Sequence, residues 1–282
     1  MTIHSEYTYK RIYHGGVKAL VLDWSGTLAD AYVIAPASVF VEVFKNQGVE
    51  ISMTEARGPM GLRKDLHIKK LTEEPAIAAR WEAVKGSPPR AADVDAMFAD
   101  FVPLQLDCLR KYSALLPGIK DTMVALQAEG IKIGTSTGFV RSMVDILLED
   151  SIKQGFTPDA TVAGDEVLNG ARPNPHMVFK NLDLMNISDV KSVVKCDDTV
   201  SGIGEAQNAG CWGVGLVRYS NYMNVNSLEE AASLSEAEIA RRMAKTRDIL
   251  VKAGAHYVID SLVEIPAVIT DINARLARGE KP

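Results

Sequence analysis

The chain has 282 residues, of which 47% are apolar, and a formal net charge of −5. That length and apolar content can build a sizeable core in one large domain or two smaller ones. The mild acidity argues against a nucleic-acid sleeve or a membrane-surface protein, and no stretch is apolar for long enough to span a bilayer.

Met1 to Gly16 is polar and has no apolar signal core, so a cytoplasmic location is expected. Val17 to Asp23 (VKALVLD) is a short apolar run ending in an acid and followed by Ser-Gly-Thr, the pattern of a buried strand entering a turn. From about Tyr32 to Lys111 the pattern changes. No convincing strand occurs there, and helical spacing appears over Ala37–Gln47 and Ala92–Leu109, so the stretch reads as a helical insertion covering the sheet edge.

Pro117–Glu129 then carries Ile119, Met123 and Leu126 at helical spacing, and Ile131–Ser136 reads as a second strand followed by Thr137-Gly138. Phe139–Ile152 is helical. Ala160–Gly164, Ser192–Asp198, Cys211–Val217 and His256–Asp260 are further strands, and Ser235–Ala253 is a helix with Ser235 and Glu238 placed for a capping box. The cysteines Cys108, Cys196 and Cys211 are scattered and read as buried thiols, not as a disulfide framework or zinc site. Strands alternating with helices give an α/β fold with a doubly wound parallel sheet. Ligands bind such sheets at the carboxyl ends of the strands, where Asp23, Thr137 and Asp198 all fall.

The chemistry-bearing residues are few. Asp23-Trp24-Ser25-Gly26-Thr27 puts a carboxylate at a strand end beside small residues, where Gly26 and Thr27 can offer backbone N–H groups to phosphoryl oxygens; an acid capping a turn is the plainer alternative. Asp197-Asp198, with Asp23 opposite, can hold a hard divalent cation through oxygen ligands. Arg172, between Gly170 and the prolines Pro173 and Pro175, is rigidly placed to neutralise nucleophile and phosphate. Thr137 offers a hydroxyl and Gly138 an N–H open to close approach.

In order and spacing these residues resemble the signature motifs of the haloacid dehalogenase superfamily. The resemblance implies a Rossmann-like core over residues 1–31 and 112–282, an inserted all-helical cap over 32–111, Asp23 as nucleophile, and Mg2+ held by Asp23, the Ser25 carbonyl and Asp198. Phosphatases of that superfamily carry a second aspartate two residues after the nucleophile as general acid. Here that position is Ser25, which is no acid near neutral pH. In the insertion, Met60-Gly61-Leu62-Arg63-Lys64-Asp65-Leu66-His67, if helical, sets Met60, Lys64 and His67 on one face at i, i+4 and i+7.

That segment, with Leu71-Thr72-Glu73-Glu74-Pro75, Trp81 and an arginine at 172, is similar to the phosphonoacetaldehyde hydrolase family. The resemblance implies a small phosphonate substrate, Lys64 as Schiff-base residue with Met60 and His67 beside it, and a homodimer through cap helices. The sequence departs from that pattern at Ser25 (alanine is usual), Val33 (cysteine), Phe139 (tyrosine) and Gly202 (an acid, for which Asp197 can substitute). The competing readings are a phosphatase or phosphomutase in which Lys64 only grips substrate, a dehalogenase with no use for the acid pair, and a non-catalytic phosphate-binding module.

Overall fold

The computed structural model describes residues 12–282, so of the polar N-terminal stretch noted above residues 1–11 lie outside it. The sheet has six parallel strands: β1 (Ala19–Leu22), β2 (Lys132–Ser136), β3 (Ala160–Val162), β4 (Val193–Asp197), β5 (Trp212–Leu216) and β6 (Tyr257–Ile259), in the order β3-β2-β1-β4-β5-β6. Each falls within a run read as a strand from sequence. β1, β4 and β5 are buried along their whole length, as central strands covered on both faces must be.

Chain order reverses direction at β1. The first three strands run outward on one side, and β4 returns to pair with the other edge of β1, Leu22 opposite Cys196. Loops leaving β1 and β4 therefore diverge, and the crevice between them is where such sheets bind ligands.

Between β1 and β2 lie α1 (Ile34–Asn46), α2 (Met53–Ala56), α3 (Lys64–Glu73), α4 (Pro75–Lys85) and α5 (Ala91–Leu109), with no strand among them. α1 and α3 pack on α5. Phe40, Phe44, Met97 and Phe101 join Leu20 and Leu22 of the sheet in one apolar cluster, so the insertion sits on the same core as β1. The remaining helices, α6 (Ile119–Ala128), α7 (Arg141–Lys153), α8 (His176–Leu184), α9 (Val200–Ala209), α10 (Leu228–Ser233), α11 (Glu236–Lys252) and α12 (Ile265–Ala277), link and flank the later strands. None of the described helices is long and apolar enough to cross a membrane.

Two local expectations are corrected. Met60 to His67 is not one helix. α3 begins at Lys64, because Gly61 has φ +92° and a Cβ there would lie 2.0 Å from the Ser201 Oγ. Ser235 does cap α11, accepting from the Glu238 N–H at 3.2 Å, but the reciprocal half of the box is missing. Glu238 instead turns along the helix to Arg241 and Arg242, both at 2.7 Å, since charge-assisted pairs outcompete a bond to one backbone amide.

The segment from Asp30 to Val33, which carries the chain into α1, is strained. Asp30, Tyr32 and Val33 have φ of 50°, 67° and 55°, a region that β-branched and aromatic residues seldom enter. The Asp30 carboxylate compensates by accepting the first amides of α1, those of Ile34 at 3.0 Å and Ala35 at 3.2 Å.

Candidate active site

Asp23 follows β1 directly, and its N–H donates to the Cys196 carbonyl of β4 at 3.1 Å. That bond brings the two strand ends together. Asp23, Asp197 and Asp198 are buried, and each offers an oxygen within 4.8 Å of the others.

Arg172 holds this acid cluster together. Its guanidinium, 2% exposed, donates to Asp23 Oδ1 at 2.8 Å, to the Ser136 carbonyl at 2.6 Å and to Glu205 at 3.0 Å, and lies 3.1 Å from Asp197 Oδ2. Lys195, wholly buried in β4, adds a second cation, 2.8 Å from Asp197 and 3.6 Å from Glu205. A planar fork suits this position because it serves several acids at once while staying charged. Burial works against the charge on Arg172, but Asp197, Asp23 and Glu205 raise its pKa above the ordinary value.

The acids are not equivalent. Asp197 Oδ1 accepts from the Thr199 N–H (3.0 Å) and hydroxyl (2.7 Å), and Oδ2 is taken by Lys195 and Arg172. Burial alone would raise its pKa, yet Arg172 and Lys195 outweigh burial and hold it below the ordinary value. Asp198 is the opposite case. Among the described residues, Oδ2 accepts only the Asn221 N–H at 2.7 Å, and Oδ1 is buried without a partner. Burial, with Asp197 and Asp23 adding like charge, drives its pKa well up. A buried carboxylate oxygen with no donor is a vacant ligand position. Asp23, Asp197 and Asp198 thus form an acidic group of the kind that holds a divalent cation; within it the oxygen without a partner belongs to Asp198, whereas Thr199 takes one oxygen of Asp197 and Lys195 and Arg172 the other. A Cβ at Gly202 would lie 1.8 Å from Asp197 Cγ, so the Asp197 carboxylate fills the space a residue-202 side chain would need.

Gly26 and Thr27 also differ from expectation. The Gly26 N–H donates to Ala29 (2.8 Å) and Asp30 (3.1 Å), and the Thr27 N–H donates to Trp24 (3.2 Å), so neither is free for an anion. The tight turn after the strand consumes them. Among the described residues, the N–H groups of Trp24, Ser25 and Gly138 make no hydrogen bond within the chain, and these are the donors open to phosphoryl oxygens. Gly26 is needed sterically instead: it has φ +77°, and a Cβ would meet Asp198 Oδ2 at 2.6 Å.

Lys64 reaches the same place from the insertion. A small cavity of about 20 Å³ is lined by Asp23, Ser25, Met60, Lys64, Thr137 and Arg172, among others. The Lys64 Nζ lies 4.7 Å from the centre of the Phe139 ring and 5.8 Å from that of Phe40, and makes no hydrogen bond or ion pair among the described residues. Burial lowers its pKa to about 8; Arg172 pushes the same way, and Asp23, Asp30 and Asp198 oppose. Phe139, where the related pattern has tyrosine, thus gives Lys64 an aromatic face without a hydroxyl.

His67 does not line this cavity. Its ring stacks on Phe40 at 3.8 Å, Nε2 bonds the Ala56 carbonyl at 2.9 Å, and burial followed by Lys64 holds its pKa well below the ordinary value. The enclosed imidazole thus supports the start of α3 beside Lys64 and lies behind the cavity wall. Thr137 lines the cavity, its Oγ accepting from the Phe139 N–H at 3.2 Å. Gly138 has a further duty: a Cβ there would lie 2.4 Å from the Leu62 carbonyl, so its bareness lets the loop before α3 press down on the strand ends.

Sequence reasoning missed Lys195, Glu205, Arg57 and Asn221. Lys195 left a signal, a charge inside an otherwise apolar strand, which must be paired if buried. Arg57 and Asn221 left none.

A strand-end carboxylate ringed by acids and a fixed arginine, closed by a helical insertion on a doubly wound sheet, defines a hydrolase with the makings of phosphoryl chemistry. The family described as haloacid dehalogenase-like hydrolase matches residues 20–215. Over 267 residues the chain is 44% identical to a phosphonoacetaldehyde hydrolase of Klebsiella pneumoniae subsp. pneumoniae and 43% identical to one of Salmonella agona, covering 94% of this chain and 99% of each relative. A crystal structure of a phosphonoacetaldehyde hydrolase-like protein from Oleispira antarctica superposes with a TM-score of 0.94 at 38% identity, covering 99% of this chain and 100% of that one. The chain belongs to the phosphonoacetaldehyde hydrolase family of haloacid dehalogenase-like hydrolases.

Proposed function

We propose that this chain hydrolyses the carbon–phosphorus bond of phosphonoacetaldehyde to acetaldehyde and phosphate. The observation that carries the reading is Lys64: a buried amine without an anionic partner among the described residues, its pKa lowered to about 8, lining one cavity with Asp23. A phosphatase could use Lys64 only as a cation to grip substrate, a task that a lowered pKa weakens, and Ser25 stands where it needs an acid.

The unprotonated Lys64 amine attacks the substrate aldehyde, and water leaves as an imine forms. Asp23 attacks phosphorus in line. The imine nitrogen is protonated, and the electron pair of the breaking carbon–phosphorus bond flows into this iminium and leaves a neutral enamine on Lys64. Water then cleaves the aspartyl phosphate, and the enamine takes up a proton and is hydrolysed to acetaldehyde and free amine. Arg172 and the open amides of Trp24, Ser25 and Gly138 stabilise the transferring phosphoryl group; Thr137 is placed to orient it and Met60 to cover the imine. Asp23, Asp198 and the Ser25 carbonyl would hold Mg2+, which when bound neutralises phosphoryl charge.

A cavity of about 20 Å³ holds little more than one water molecule, so substrate enters only after the loop at Met60–Arg63 lifts. This supports a division into a core over 1–31 and 112–282 and a mobile cap over 32–111. We also assign a homodimer through cap helices and a cytoplasmic location, on family resemblance.

The assignment is tested by incubation with phosphonoacetaldehyde: acetaldehyde and phosphate should appear in equal amounts. Exhaustive chelation should abolish the release and magnesium restore it; turnover that survives chelation removes the cation from the reaction. Alkyl phosphates, which need a proton donor for the leaving oxygen, should turn over at least about 100-fold more slowly. Comparable rates on alkyl phosphates would favour a phosphatase.

A further inference from the structure

Arg57, one residue beyond α2 in the insertion, is 4% exposed, although an arginine is seldom buried without a task. Its guanidinium donates to the carbonyls of Tyr32 and Val225 and, at 3.2 Å, to Asn221 Oδ1. Asn221 answers: its Nδ2 donates to the Arg57 carbonyl at 3.1 Å. One side chain of the insertion therefore ties together the strained entry segment at Tyr32 and the loop after β5. The same Asn221 supplies, through its backbone N–H, the only hydrogen bond made by the Asp198 carboxylate among the described residues, at 2.7 Å to Oδ2, while Ser220 Oγ donates to the Asp198 carbonyl at 2.9 Å.

We propose that Arg57 and Asn221 are positioning residues coupling closure of the insertion to the orientation of Asp198. With Arg57 seated, the loop at 220–221 fixes one Asp198 oxygen and leaves the other without a partner among the described residues, in a carboxylate that has an oxygen within 4.8 Å of one of Asp23. When the insertion lifts, Arg57 leaves Asn221, the loop loses its tie, and Asp198 loses its fixed direction. Coupling of this kind is reciprocal: a cation on Asp198 favours seating of Arg57 as much as seating favours the cation. The closed site is thereby the one that binds metal well. This rests on the reading of Asp198 as a metal ligand.

The test is magnesium titration of the full-length protein by calorimetry, with no substrate present. Arg57→Lys keeps the charge but cannot span Tyr32, Asn221 and Val225. Asn221→Ala removes the reciprocal amide, and serves alone if the lysine variant does not fold. Both should weaken magnesium binding about 10-fold, the usual cost of losing a group that orients a ligand. Arg80→Ala, which breaks the pair with Glu55 at the outer edge of the insertion, should leave it unchanged. Hydrogen exchange of the wild-type protein gives an independent readout: magnesium should slow exchange over residues 53–57, and the two variants should lose that response. If the wild type binds magnesium and both variants bind it equally well, the coupling is wrong and Asp198 remains a ligand. If the wild type binds no magnesium, the metal assignment falls and the coupling with it.

Discussion

Replacement of Lys64 by arginine should lower turnover of phosphonoacetaldehyde on the order of 10³-fold or more, because the group removed acts in the covalent step itself. Arginine keeps a cation between Phe40 and Phe139 but stays protonated and forms no imine. Without the imine the carbon–phosphorus electron pair has no acceptor. Borohydride added to wild-type enzyme with substrate should leave a reduced adduct on Lys64, read by peptide mass spectrometry. An adduct on another lysine, or a Lys64→Arg variant retaining most of its activity, would falsify the Schiff-base reading.

The same residue sets a pH dependence. The reactive form is the neutral amine, and the Lys64 pKa is about 8. Its neutral fraction rises with pH, so kcat/KM for the aldehyde should climb about tenfold per unit below pH 8 and level off above it. Burial is the first cause of the lowered pKa, so a substitution that admits water beside Lys64, such as Phe139→Ser, should move the inflection upward. An inflection unmoved by that change would assign the ionisation to another group.

Asp23→Asn should also abolish turnover, on the order of 10⁴-fold, since the amide keeps the shape but is not a nucleophile for phosphorus. Imine formation precedes attack on phosphorus, so this variant should still give the borohydride adduct on Lys64. Loss of both adduct and turnover would mean that Asp23 is needed to form the imine. The substitution should not destabilise the fold. It removes one acid from a buried cluster with Asp197 and Asp198, where burial and the Asp197 charge already raise the Asp23 pKa. Thermal melting in the absence of metal should show a midpoint equal to or above that of the wild type, the trade expected where a site stores repulsion for function.

The sequence by itself determined the sheet and which polar residues gather at its strand ends. Runs of five to seven residues rich in apolar side chains, separated by helical spacing, admit few arrangements, and all six strands fall inside such runs. Asp23, Thr137, Arg172 and Asp198 were legible because a polar residue at the end of a buried strand, or an arginine braced by prolines, has few structural excuses. Lys64 was legible only in the company of Met60 and His67, and for a partly wrong reason: Met60 lies in a turn that Gly61 imposes, not on the helix.

What only the tertiary structure decided was which partner each polar atom takes. Adjacent acids look alike as letters, yet Thr199 takes one oxygen of Asp197 and Lys195 and Arg172 the other, while Asp198 keeps one without a partner among the described residues. Gly26 and Thr27 looked ready to hold phosphate, but closing their own turn uses their amides. His67 has the spacing of a catalytic neighbour, but packing against Phe40 seals it away. The Arg57–Asn221 pair spans 164 positions, and no local pattern announces it. Periodicity and strand ends are written along the chain, because backbone geometry is local. Hydrogen-bond assignment and desolvation depend on which distant segments meet, and those are settled only when the insertion lies down on the strand ends.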